Sequence, residues 1–266
     1  MLRVGSVPYL VAQPLIYGLA DRAGVELTFA PPSELARGLR AGRFDVALAS
    51  SILAIEEPDL RLWREGPLIG ADGPVRSVLL LLRPGLPGPA AVRRLELDPH
   101  SRTGRLLAAI VLQQRWLAEP EMVEATDGDG FAAGTDAVQR IGDPALRAAV
   151  EHPHWRPLDL AEEWKELTGL PFVFAGWIGR PGFDPAEAAG LLGPAADAGL
   201  ERRAELAERI GVPGVDPGFL RRYLGEDVRY RLPAPTVDRV LAEFGRRSGL
   251  VTAGAEETGY RGDAGG

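Results

Sequence analysis

IGDPALRAAVEHPHWRPLDLAEEWKELTGLPFVFAGW, residues 141 to 177, packs a turn, a helix and a strand into one run with little filler. Gly142-Asp143-Pro144 reads as a strand end followed by a helix start, because Asp caps helix N-termini and Pro is tolerated in the first turn. Leu160 to Leu167 predicts a further helix that Gly169 stops, and Pro171 leads into an apolar, aromatic strand. Earlier in the chain, Ser77-Val78-Leu79-Leu80-Leu81-Leu82 is a matching, near-continuous apolar run of the kind buried inside a sheet. Two such strands, with two chain crossings expected near them, predict two domains hinged around a cleft.

The N-terminal third alternates strand and helix. Leu2 to Val7, Val25 to Ala30 and Asp45 to Ala49 read as strands. Leu10 to Ala20 and Pro32 to Ala41 read as helices, and Ser50-Ser51 opens another. Repeated βαβ units of this kind predict a mainly parallel sheet with helices on its faces. Arg83-Pro84-Gly85-Leu86-Pro87-Gly88-Pro89 is a turn-rich connector. Beyond it, Leu95 to Leu97, Met122 to Ala125 and Ala137 to Ile141 read as strands, with a helix over Thr103 to Trp116. Past Trp177 the pattern is helical: Pro185 to Gly199, Glu201 to Ile210, Pro217 to Leu224 and Thr236 to Arg247, expected to return over the first lobe. The expected division is lobe 1 over residues 1–83 and 175–250, lobe 2 over 84–174, and a disordered Gly- and Ala-rich tail over 251–266.

Composition narrows the function. A chain of 266 residues, 45% hydrophobic and 25% charged, has enough apolar material for one large core or two smaller ones, and two lobes are expected. A net charge of −7 argues against a general nucleic-acid binder. The N-terminus reads as a strand rather than a secretory leader, and no apolar run approaches the ~20 residues that cross a membrane, so a cytoplasmic protein is expected. Without cysteine there is no thiolate nucleophile and no Cys-ligated metal. Lys165 is the single lysine and lies on a polar helix face, which disfavours amine catalysis. His100, His152 and His154 show no metal-ligand spacing.

Alternating units in two lobes suggest an α/β, two-lobe architecture of the periplasmic-binding-protein type II kind, with a ligand cleft between the lobes. Ligands there meet strand carboxyl ends and helix N-termini, where free N–H groups favour anions. Three places have that chemistry: Ser50-Ser51, Ser77 beside Gly73-Pro74-Val75-Arg76, and Asp98-Pro99-His100-Ser101-Arg102-Thr103-Gly104. The last brings hydroxyls, a guanidinium and helix N–H groups into one turn. Plainer readings stand beside these. Ser50, Ser51, Ser101 and Thr103 also suit ordinary N-caps, Arg102 a solvated charge, Tyr9 a core aromatic, and Asp143 a cap as readily as an acid or base.

Several motifs, in order and at matching spacing over about residues 1–180, resemble the chorismate dehydratase family of menaquinone biosynthesis. They are Val7-Pro8-Tyr9-Leu10 with Pro14-Leu15, Gly73-Pro74-Val75-Arg76-Ser77-Val78, Asp98 with Ser101-Arg102-Thr103, Asp136-Ala137 with Ile141-Gly142-Asp143-Pro144, and Asp159-Leu160 with Trp164 and Thr168-Gly169-Leu170-Pro171-Phe172. The resemblance implies dehydration of chorismate to 3-[(1-carboxyvinyl)oxy]benzoate, with no metal or organic cofactor. It departs in two places. Val11 and Gln13 stand where the family has Asn and Arg, and Gly104 stands where it has Ser. A lost Asn contact is expected to weaken binding or transition-state stabilisation by ~1–3 kcal/mol.

Chorismate is a dicarboxylate, so the expected binding residues are Tyr9, Gln13, Ser50, Ser51, Ser77, Ser101, Arg102 and Thr103. Asp143 is the candidate base, with a carboxylate of the substrate as the other. A non-catalytic small-carboxylate binding protein of the same fold is the alternative, distinguished by ligand binding without turnover.

Overall fold

The computed structural model describes residues 1–125 and 131–250, so the tail expected over 251–266 lies outside the described residues. The chain opens with strand β1 (Leu2–Ser6), a buried 3-10 turn at Leu10–Ile16, strand β2 (Val25–Phe29), helix α1 (Pro32–Arg40), strand β3 (Val46–Ser50) and the single turn of α2 (Leu53–Glu56). Strands β4 (Arg61–Leu62) and β5 (Leu68–Ala71) follow, neither of them foreseen in the sequence. The expected helix over 10–20 is therefore corrected to a short 3-10 turn. Pro14 inside it supplies no N–H, and a 3-10 turn asks for fewer bonds than a long helix.

A second α/β unit contains β6 (Val78–Leu82), β7 (Arg94–Leu97), α3 (Thr103–Ile110), β8 (Glu121–Glu124), β9 (Ala137–Ile141), α4 (Gly142–Glu151), β10 (Arg156–Asp159) and α5 (Leu160–Thr168). A π turn at Val111–Arg115 extends α3, so the helix expected to Trp116 changes its winding partway. The chain then returns through β11 (Phe172–Gly179). A 3-10 turn at Pro185–Ala188, helices α6 (Ala189–Glu201), α7 (Arg203–Ile210) and α8 (Pro217–Arg222), strand β12 (Val228–Arg229) and helix α9 (Ala234–Ser248) complete it.

These strands form two sheets. The larger runs β12-β5-β11-β3-β1-β2, with β4 beside β11, and the smaller runs β10-β6-β9-β7-β8. The expected mainly parallel sheet is corrected to two mixed ones. β1 pairs in parallel with β2 and β3, but β11 runs antiparallel to both β3 and β5, and β6 runs antiparallel to β9 and β10. β6 enters the smaller sheet from the larger one, and β11 returns from the smaller to the larger. β6 belongs wholly to the smaller sheet and β11 wholly to the larger. The chain thus changes sheets between Ala71 and Val78 and again between Asp159 and Phe172, before the apolar strands rather than after residues 83 and 174.

The unbroken apolar run of β6 has a direct cause. Leu80 and Leu82 join the main core, while Leu79 and Leu81 pack with Ala145 and Ala148 of α4 in a second cluster on the other face. A strand covered on both faces has no solvent side to fill with polar residues. The returning helices cover the larger sheet as expected: α6 packs on the 3-10 turn and α9 on β11, and α9 also reaches α3.

Both crossings meet at Asp159. Its Oδ1 accepts from the N–H groups of Ala161 and Glu162, which caps α5, and its Oδ2 accepts from Val75 and Arg76 on the first crossing at 3.0 and 2.6 Å. Burial pushes this carboxyl up to about 6, and the four backbone donors limit the rise. Gly169 ends α5 in the left-handed conformation at φ 72°, as its sequence position predicts. Arg76 holds the same region at φ 67° without being glycine, a strained residue at a crossing.

Candidate active site

Strand ends and helix starts from both sheets face one cleft. Ser50 closes β3, and Ser77 stands just before β6. Ser101-Arg102-Thr103-Gly104 open α3, Ile141-Gly142 join β9 to α4, and Tyr9 precedes the 3-10 turn. Tyr9, Ser50, Ser77, Ser101, Arg102, Thr103 and Gly104 line a cavity of about 640 Å³, mouth included. Val7, Val11, Ile69, Val75, Val78, Ile141 and Phe174 supply most of the rest of its wall. The cavity is largely apolar with a few converging hydroxyls, the usual build of a small-molecule site.

Several of these groups bond across the cleft. The hydroxyls of Ser50 and Thr103 share a hydrogen bond from one sheet to the other. Arg102 donates to Glu56 of α2 at 2.5 Å, so its charge is already partly balanced. Ser77 Oγ accepts from the buried Tyr223 hydroxyl at 2.8 Å, which leaves the Ser77 proton free for another acceptor. Burial drives the Tyr223 phenol well above its usual range, with the Ser77 bond opposing, so Tyr223 remains a donor. Tyr9 is raised well above the usual phenol value by burial first and then by the charges of Asp98 and Asp143.

Three of the expected residues stand off the cavity lining. Ser51 is fully buried and donates to the Val173 carbonyl at 2.6 Å, joining β3 to β11. Gln13 directs its amide nitrogen at the Pro8 carbonyl, 3.5 Å away. Asp143 neither caps α4 nor lines the cavity. Both its carboxylate oxygens accept from the Leu10 N–H, at 3.0 and 3.1 Å, so α4 is tied to the 3-10 turn of the other sheet. Burial pushes the Asp143 carboxyl up to about 6, opposed by the Leu10 bond and by Arg147. Val11, standing where the resembled family has Asn, faces the cavity as an apolar group.

Glu56 and Tyr223 escaped the sequence reading, because they reach the site from helices that carry no motif of their own. Among the described residues no group of three His, Asp or Glu side chains converges as a metal site would require.

Comparisons with known proteins agree with this geometry. A solved structure from Archaeoglobus fulgidus, protein AF1704, superposes with a TM-score of 0.71 at 18% identity, covering 94% of this chain and 98% of that one. A Candida albicans protein described as having the generic periplasmic binding protein fold superposes with a TM-score of 0.63 at 12% identity, over 94% and 90% of the two chains. These likenesses establish the two-lobe binding-protein-like fold. In sequence, the chain is 32% identical to the chorismate dehydratase of Thermus thermophilus over 92% of its own length and 97% of that protein. A family model described as menaquinone biosynthesis matches residues 2–240. With that match spanning both sheets and every cavity-lining residue, the chain belongs to the menaquinone biosynthesis family.

Proposed function

We propose that this protein is a lyase that removes water from chorismate to give 3-[(1-carboxyvinyl)oxy]benzoate. The observation that carries the reading is the interlobe cavity, walled by apolar side chains and supplied with hydroxyls from both sheets, in a chain 32% identical to a chorismate dehydratase. Residues of the larger sheet form one lobe and those of the smaller sheet the other, closing over the substrate.

The substrate's carboxylates are held by Ser77, Ser101, Thr103 and Arg102 together with the N–H groups that open α3. Ser50 supports Thr103 from the opposite lobe. Tyr9 packs beside the ring. Ser51 and Gln13 serve the fold, and Asp143 ties the lobes.

Among the described residues the cavity wall carries no carboxylate or imidazole, and burial holds its one phenol, Tyr9, protonated. The proton acceptor is therefore a carboxylate of the substrate itself. It takes the C3 hydrogen as a proton, the C3–H electron pair becomes a ring double bond, and the C4–O bond breaks. The departing hydroxide takes up a proton, so the net change is loss of one water. Aromatisation supplies the driving force, leaving the protein to position the reacting groups and exclude solvent. Val7, Val11, Val75 and Phe174 favour this, since a carboxylate beside apolar walls is a stronger base than one in water.

Incubation of the purified protein with chorismate, followed by chromatography and mass spectrometry, tests the reaction. Product is expected above the spontaneous background, and Ser77→Ala and Thr103→Ala should each lower kcat/KM about tenfold, the scale of one hydrogen bond to a charged group. Chorismate bound without turnover would leave a carboxylate-binding protein and end the proposal. The proposal includes a cytoplasmic setting, checked by following the activity through cell fractionation. Among the described residues no helix is long and apolar enough to cross a membrane.

A further inference from the structure

Ser77, on the cavity wall just before β6, is held from several sides. The Gly142 N–H donates to its carbonyl at 2.7 Å, and Asp159 accepts from the N–H groups of Val75 and Arg76 immediately upstream. The backbone here is therefore fixed. What remains free in Ser77 is the rotation of its hydroxyl proton, which decides whether the residue offers a ligand a donor or a lone pair.

A turn from the far end of the chain removes that freedom. Tyr223–Asp227 wind as a π turn after α8, with the Val228 N–H bonded to the Tyr223 carbonyl. Such winding is rare and recurs at functional sites. Here it brings Asp227 to Arg76, at 3.6 Å, and the Tyr223 hydroxyl to Ser77 Oγ, at 2.8 Å. Tyr223 is fully buried, and among the described residues Ser77 Oγ is the partner of its hydroxyl. A phenol is a better donor than an alcohol, and a phenol proton turned elsewhere would be buried without an acceptor. Burial keeps the phenol protonated against the opposing Ser77 bond, helped by the charges of Asp143, Asp159 and Asp227.

We propose that Tyr223 is a positioning residue that fixes the Ser77 hydroxyl as a donor to the substrate carboxylate. The phenol occupies a lone pair of Oγ, and among the described residues no protein group accepts the Ser77 proton, so that proton is left for a ligand in the cavity. Accepting from Tyr223 also polarises the serine O–H and strengthens it as a donor. Tyr223 is not itself on the cavity wall, so the π turn acts on the ligand through Ser77.

The inference rests on the carboxylate substrate proposed above, and two measurements separate their failures. Chorismate kinetics report turnover, and calorimetry with isophthalate, a benzene dicarboxylate with no hydroxyl to lose, reports binding alone. Tyr223→Phe removes the hydroxyl and keeps the ring. Made alone and together with Ser77→Ala, it completes a double-mutant cycle. Tyr223→Met, a flexible apolar chain without a hydroxyl, gives the same comparison should circular dichroism show that the phenylalanine variant does not fold.

Loss of the Tyr223 hydroxyl is expected to raise the chorismate KM and the isophthalate Kd about three- to tenfold, with kcat within about threefold of the parent. In the Ser77→Ala background the same change should leave KM and Kd within about twofold, because no serine hydroxyl remains to be oriented. Unchanged KM and Kd in the single variant, even with lower thermal stability, would overturn the inference. So would an equal rise in both backgrounds, which marks a structural role. A parent protein that binds isophthalate with this pattern of Kd changes, yet leaves chorismate unchanged, would sustain Tyr223 as the positioning residue and end the dehydratase reading. A parent that binds neither compound overturns both.

Discussion

Asp143 shows how a side chain's role depends on what the fold sets opposite it. As sequence it is an acid beside a helix start, equally suited to capping or to proton transfer. In the structure its two oxygens converge on one N–H of the other lobe, and burial raises its pKa to about 6. An acid whose folded pKa lies above its unfolded value, about 4, binds its proton more tightly when folded. Its favourable contribution is full below about pH 4 and is lost as the pH rises through about 6. Asp143→Asn keeps an oxygen for Leu10 and removes the buried charge. The variant should be more stable than the parent by ~1–2 kcal/mol at pH 8, with the difference vanishing near pH 4, as urea denaturation at both values will show. Turnover should stay within about threefold, whereas loss of a true general base would lower it by about a hundredfold or more.

Among the elements, the N-terminus of α4 meets the other lobe beside the cavity. Gly142 sits there at φ 62°, and a Cβ on it would lie 2.7 Å from the Tyr9 ring. Its N–H donates to the Ser77 carbonyl at 2.7 Å, so the end of β9 is held to the start of β6. Gly142→Ala therefore combines an unfavourable backbone conformation with a collision across the cleft. It should destabilise the protein by ~2 kcal/mol and raise the KM for chorismate, measured by denaturation and by kinetics on the folded fraction. Unchanged values would mean that Tyr9 moves freely and the contact is incidental. The sequence marked Gly142 as a turn residue, but Tyr9 lies more than a hundred residues away in the chain, so nothing local could announce the collision. The 3-10 turn at Leu10–Ile16 departs from its local pattern for a related reason. Its apolar residues suit a helix, and Pro14 with the packing of α6 decides the shorter form.

For the molecule as a whole, closure is the property that joins fold to chemistry. Asp159 clamps both crossings, while the Ser50–Thr103, Arg102–Glu56 and Leu10–Asp143 bonds join the lobes across the cleft. Such bonds are stable together or broken together, because each needs the lobes in one relative position. Binding of chorismate or its product should slow amide hydrogen exchange at Leu10 and around residues 75–77 and 101–104. The edge strands β2 and β8 should be unaffected, since they lie at the outer rims of their sheets. Equal protection throughout, or none, would argue against lobe closure.

The two-lobe α/β class, the buried strand β6, the end of α5 at Gly169 and the turns that carry Ser77 and Ser101 to Thr103 are legible in the residues alone. Each is written in local signals: an apolar period, a left-handed glycine, a polar turn before a helix. The direction of the returning strands, the points where the chain changes sheets and which polar groups face the cleft emerge once distant segments pack together. Packing separated Ser51, Gln13 and Asp143 from the cavity wall and set the Tyr223 hydroxyl against Ser77 on that wall. A hydrogen-bonding side chain has no role fixed in advance. Its role follows from which donors and acceptors remain once distant segments have packed against it.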